Sequence, residues 1–173
     1  AIAQQIVNNL NTPDIIGLQE VQDNTGGEIV DDIIAADVTL QTLVDAIVAA
    51  GGPEYEFIDN TFIIDEASGG QPGGNIRTAF LYNPDRVDVV EGSVRPVGSQ
   101  APGEAFNGAR LPLAADFTFN DETVTVVNNH FSSKGGSAPI VGLEQPFEAR
   151  QEEVAVNGSL DERQAQSAES QAL

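Results

Sequence analysis

Two places in this chain combine residue types and spacing that could do chemistry. The run Thr125-Val126-Val127-Asn128-Asn129-His130 alternates as a strand does, and a period of two puts Asn128 and His130 on one face at its end. Polar groups paired on one face at a strand end are how an open sheet presents a site. Taken singly, His130 reads as a satisfied histidine at a sheet margin. The second place is Glu20, a carboxylate closing the apolar run Asp14 to Val21. Alone it reads as an exposed strand-end charge. Together the two are complementary: a carboxylate can hold a divalent cation while an imidazole donates to a phosphate oxygen.

The surrounding elements must position these groups. Ile2, Ile6 and Leu10 fall at i, i+4 and i+8, with Ala3 and Val7 beside them, which predicts a helix stopped by Asn11-Thr12-Pro13. Asp14 to Val21 then reads as a buried strand. Asp37 is placed as the N-cap of a second helix using Leu40, Leu43, Val44, Ile47 and Val48, ended by Gly51-Gly52-Pro53. Strands are expected at Tyr55 to Ile58, Arg77 to Tyr82 and Val87 to Val90, the last following the turn Asn83-Pro84-Asp85-Arg86. Leu113 to Phe119 and Thr123 to Phe131 form a hairpin around Asn120-Asp121. Ala67 to Gly74 and Gly135 to Pro146 are loops. The Gln- and Ala-rich stretch from Leu160 to Leu173 reads as a solvent-facing helix. Helix, strand, helix, strand is an α/β rhythm, and from Glu54 onward it gives way to strands and turns. No internal repeat or domain-scale linker divides the 173 residues, so they are one domain or a large piece of one.

Composition removes several function classes. There are 27 Asp and Glu against 7 Lys and Arg, a formal net charge of −20, which excludes a basic nucleic-acid clamp. Phosphate chemistry survives that exclusion, because a bound cation reverses the local field. Zero Cys excludes disulfides, zinc–thiolate sites and a thiol nucleophile, and the single His130 excludes any site needing two imidazoles from these residues. The acidity reads first as a solvated surface suited to a salty or extracellular setting. Calcium binding by Asp31, Asp32 and Asp37 is the sharper reading, but their spacing lacks the Asp-x-Asp-x-Asp-Gly pattern of an EF-hand. The glycines of Ala67 to Gly74 lack the spacing and closing Lys-Ser/Thr of a phosphate-cradling P-loop. No apolar run approaches a membrane span, and the first residues carry no signal-like stretch.

Four segments, in order, resemble the endonuclease/exonuclease/phosphatase superfamily. Pro13 to Val21 (PDIIGLQEV) is similar to its metal-binding Gln-Glu motif, and Ile76 to Val87 (IRTAFLYNPDRV) to its next core strand and turn. Ala109 to Phe117 (ARLPLAADF) resembles the Arg-x-Pro strand, and Val126 to Gly136 (VVNNHFSSKGG) the Asn-x-His strand. The Asn-His-Phe-x-Ser-Lys-Gly wording is closest to the extracellular bacterial nucleases. The resemblance implies an α/β (α+β) four-layered sandwich, two mixed β-sheets face to face and flanked by helices. It implies a phosphodiester hydrolase, a secreted nuclease, dependent on Mg²⁺, Mn²⁺ or Ca²⁺. Glu20 matches the metal ligand. His130 matches the catalytic His at the scissile phosphate, Asn128 the Asn two before it, and Arg110 an Arg on substrate phosphate. Lys134 could touch nucleic-acid backbone, or simply be solvated.

Departures from the pattern set further expectations. The leading strand with its Asn, the Gly-Asp-x-Asn motif and the closing Ser-Asp-His do not occur in residues 1–173. The segment is therefore read as a single partial domain, incomplete at both ends and inactive by itself, with nucleic acid as partner and an extracellular or cell-surface location of bacterial type. Two other classes stay open: a phosphatase acting on a phospholipid head group or inositol phosphate, and a non-catalytic binding module.

Overall fold

The structure, a computed structural model, describes residues 1–27, 31–66, 73–107, 109–131 and 159–172. Helix α1 spans Ile2–Asn8 and buries Ala3 and Ile6. It is shorter than its apolar spacing predicts. Asn11 and Thr12 adopt positive φ, and Leu10 is left 56% exposed beyond the helix end. Asparagine tolerates the left-handed region and Pro13 cannot continue a helix, so the chain turns before Leu10 can pack.

Strand β1, Ile15–Val21, leads to α2, Asp37–Ala49, which buries Leu40, Val44 and Ile47. Asp37 is the first helical residue here, not the cap. The cap comes from a distance: Asn24 Oδ1 accepts from the N–H groups of Val38 (2.9 Å) and Thr39 (3.1 Å), and Asn24 Nδ2 donates to Asp37. That amide holds the Asp37 carboxyl below the usual carboxylate range. The helix thus starts where the loop after β1 places Asn24.

Strands β2 (Glu56–Ile58) and β3 (Arg77–Tyr82) complete a first sheet, ordered β1-β3-β2. Strands β4 (Asp88–Val89), β5 (Arg95–Pro96), β6 (Leu113–Phe119) and β7 (Glu122–Asn128) make the second, with β6 at its centre. All pairings among these strands are antiparallel. The β6–β7 turn carries positive φ at Asn120 and Asp121, the two-residue geometry that matches strand twist. Strand β5, only two residues long, has no periodic signal and is not legible in the sequence.

Burial falls into two layers. Ala3, Ile6, Val44, Ile47, Tyr55 and Leu81 form a cluster between the helices and the first sheet. Phe80, Val87, Leu113, Ala115 and Phe117 form another between the two sheets, where Phe80 and Phe117 meet edge to face at 5.7 Å. The result is an α+β sandwich. Helix α3, Ser159–Ser170, is not purely solvent-facing as its composition suggests: Gln166 is fully buried and donates to the Ala105 carbonyl. Glu169 of the same helix lies so close to Gly98 that a side chain there would strike it. The expected loop at Gly135 to Pro146 and most of that at Ala67 to Gly74 lie outside the described residues. No helix among the described residues is long and apolar enough to cross a membrane.

Candidate functional site

Glu20 and His130 come together through an irregularity in β1. Leu18 pairs with Ala79 and Val21 with Arg77, so Gln19 and Glu20 together face the single residue Thr78. This is a β-bulge, and it twists the strand and re-aims side chains. Glu20 takes φ of +57°, a left-handed conformation that a non-glycine residue adopts at a cost. Its side chain is 73% exposed and its Oε1 lies 3.6 Å from His130 Nε2. The other bulge residue, Gln19, anchors instead of reaching out. Its Nε2 donates to the Asn129 carbonyl and ties down the segment carrying the histidine.

Asn128 is placed differently from expectation. Strand β7 ends there, so His130 stands two residues beyond the strand and does not share a pleated face with it. Asn128 is buried, and its Nδ2 donates to the Leu18 carbonyl (2.8 Å) and the Ala79 carbonyl (2.9 Å). Those two carbonyls belong to paired residues of β1 and β3, so one amide clamps the second sheet onto the first. Both of its amide hydrogens are thus committed to that clamp, two residues before His130. Gly17 makes room for the clamp, since a Cβ there would come within 3.2 Å of the amide.

Arg110 completes the group. It precedes β6, and its Nη2 lies 3.4 Å from His130 Nε2. A guanidinium only donates, so Nε2 must be the acceptor, which assigns the imidazole proton to Nδ1. Burial, then the Arg110 charge, push the His130 pKa down against the opposing pull of Glu20. That shift favours the neutral imidazole, so the 3.6 Å approach to Glu20 does not require a charged histidine. Burial likewise lowers the Arg110 pKa, opposed by Glu20, without threatening its charge.

Several unpaired buried polar atoms lie at the same place, although Arg77 Nη2 and Ser170 Oγ are unpaired as well. Among the described residues, the buried side-chain polar atoms without a partner include Arg110 Nε, His130 Nδ1, Asn129 Oδ1 and Thr78 Oγ1. Buried polar atoms are nearly always paired, and groups left open gather where a ligand completes them. His130 is thus not a satisfied marginal histidine. Lys134 lies outside the described residues.

Among the described residues Glu20 is the carboxylate seen beside this group, and no cluster of three or more His, Cys, Asp or Glu suited to a metal occurs among them. A single exposed carboxylate does not fit zinc. It fits Mg²⁺, which keeps several waters and binds through one or two carboxylates plus substrate phosphate. The carboxylates Asp31 and Asp37 are engaged elsewhere, Asp31 accepting from the Ile33 N–H and Asp37 from Asn24. A groove of about 520 Å³ lined by residues including Glu54, Glu56 and Asp85 contains none of the site residues and offers no cation to a phosphate.

Glu20, His130, Arg110 and Asn128 are all legible as candidates in the sequence, though not the clamping role of Asn128. Gln19, Thr78 and Gly17 are not, although a glycine inside an apolar strand is a recognised sign of close approach. Neither protein-family models nor curated proteins give a match to this chain. Among solved structures, it is similar to humanized D. rerio TDP2 carrying 14 mutations, at 20% identity and a TM-score of 0.43. That alignment covers 76% of this chain and 39% of the other.

Proposed function

We propose that this chain carries the phosphate- and metal-binding groups of a divalent-metal-dependent phosphodiester hydrolase, a secreted nuclease of the endonuclease/exonuclease/phosphatase type. The observation that carries the reading is the convergence of Arg110 and Glu20 on His130 Nε2. A permanent cation, a neutral imidazole and an exposed carboxylate meet where several buried polar atoms await partners.

The residues divide the work. Arg110 donates to a non-bridging phosphate oxygen, and in doing so it withdraws from the imidazole. His130, released from Arg110 and carrying its proton on Nε2 in that state, donates to a neighbouring oxygen. Gln19 and Asn128 hold the histidine segment still, so little reorganisation accompanies binding. Glu20 would hold Mg²⁺, Mn²⁺ or Ca²⁺, which when bound stabilises negative charge on the phosphoryl oxygens. Water attack needs groups beyond these, and the 173 residues by themselves are expected not to hydrolyse nucleic acid at a useful rate.

The test uses the chain's one histidine. Titrating a thymidine dinucleotide with Mg²⁺ present should shift the single imidazole NMR signal, and Arg110→Ala should weaken that binding about tenfold or more, as for a charged hydrogen bond. An imidazole signal indifferent to millimolar dinucleotide would remove the reading. Tighter binding of inositol phosphate than of dinucleotide would move it to the phosphatase class.

A further inference from the structure

Phe62 is a large apolar side chain left 44% exposed in the loop after β2. The other exposed phenylalanine among the described residues, Phe119, lies at the far end of β6 with Arg86 stacked over its ring at 5.5 Å. Nothing comparable covers Phe62 among the described residues. Its exposure is enforced by its neighbours. Ile63 plugs inward at 9% exposure, Asn60 is buried at 4%, and Asn60 Oδ1 accepts from the Phe62 N–H at 3.1 Å. A loop pinned on both sides of Phe62 must present that ring outward.

The pins lead to the site. The Asn60 carbonyl accepts from Nη1 of the buried Arg77, whose Cα partner is Val21, the residue after Glu20. On the other flank, Asn60, Phe62 and Ile63 share a small cleft with Leu111, the residue after Arg110, and with Gln100. Gln100 in turn donates to the Ala109 carbonyl and braces that segment. The ring therefore sits on a braced loop that leaves β2, across β3 from the strand presenting the carboxylate and beside the segment presenting the guanidinium.

We propose that Phe62 is a stacking platform for an unpaired nucleobase of the substrate, beside the phosphate position defined by Arg110 and His130. The proposal rests on the phosphodiesterase reading for the phosphate and deepens it by naming the substrate class as single-stranded nucleic acid or its fragments. Stacking on an aromatic face is tolerant of base identity, so the platform confers preference for nucleic acid over other phosphodiesters without reading sequence. It also supplies affinity that the anionic surface cannot.

The chain contains no Trp, so Phe62→Trp introduces a single indole whose emission reports on stacking. With Mg²⁺ present, oligothymidylate should quench that emission, whereas an abasic deoxyribose-phosphate oligomer of equal length should not. In parallel, Phe62→Ala should weaken oligothymidylate binding by about tenfold, as loss of one stacked base does, and abasic-oligomer binding by less than about twofold. Its melting temperature should stay near that of the wild type. Absence of quenching, or equal quenching by both oligomers, overturns the platform. Quenching that persists unchanged when Arg110→Ala is added supports the platform and sinks the phosphate reading, so the two failures are distinguishable.

Discussion

At the scale of single residues, the site depends on a strained carboxylate. Glu20 holds φ at +57° with most of its side chain in water, so its conformation is imposed by the bulge and not by packing. Glu20→Gly removes the side-chain clash of that conformation, and Glu20→Gln leaves it in place. The first should melt at the wild-type temperature or higher, within about 1 kcal/mol, and the second at the wild-type temperature. Mg²⁺ should raise the melting temperature of the wild type and of neither variant. A markedly destabilised Glu20→Gly would show that the carboxylate holds the bulge together. Tyr82 gives a pH prediction. Burial, then the hydrogen bond with Glu56, push its phenol up to about 12. A raised acid favours the neutral form in the fold, so its contribution to stability is complete below the ordinary value near 10 and is lost as pH rises through about 12. With no Trp to interfere, phenolate absorbance should show this late ionisation, and Glu56→Gln should bring it earlier.

At the scale of elements, the clamp between the sheets is a close fit. Gly17→Ala puts a methyl 3.2 Å from the Asn128 amide. The amide must shift or the strands must part, which should cost about 1–3 kcal/mol as overpacking does. The imidazole signal of His130 should move with it in NMR spectra; an unmoved signal would show that the clamp does not position the histidine. What the sequence disclosed about elements follows from the range of the interactions involved. The turn at Asn120-Asp121, the strand run of β1 and the Leu40, Val44 and Ile47 stripe of α2 are local patterns, and each is where the pattern puts it. But β1 is an edge strand with no fully buried residue rather than the buried strand its apolar run predicts, and Val48 of α2 is 46% exposed. The cap of α2 by Asn24, the burial of Gln166 against Ala105 and the bulge opposite Thr78 depend on partners far along the chain. No window of sequence contains both members of such a pair. The same holds for the site: its residue types were visible, but the commitment of Asn128 to Leu18 and Ala79 was not.

At the scale of the molecule, charge dominates. Of the seven cationic side chains, Arg77 is buried against Asp59, Arg86 pairs with Asp14, Arg95 with Asp116, and Arg110 faces the site. Those four are thus engaged locally, against a net charge of −20 over the whole sequence. Self-repulsion should destabilise the compact state at low ionic strength, and salt should relieve it over a Debye length that shrinks from about 10 Å at 0.1 M to 3 Å at 1 M. The melting temperature should therefore climb from low to molar NaCl. A flat profile would contradict this account.

The Asn128 clamp also makes a statement about time. Its two amide hydrogens end on carbonyls of neighbouring strands in the opposite sheet, so they can exchange with solvent only when the sheets separate at that end. Opening there releases Leu18, Ala79 and the segment leading to His130 in one event. Hydrogen exchange at this one side chain therefore reports the breathing of the sandwich, as an opening free energy when reclosing outpaces exchange and as an opening rate when it does not.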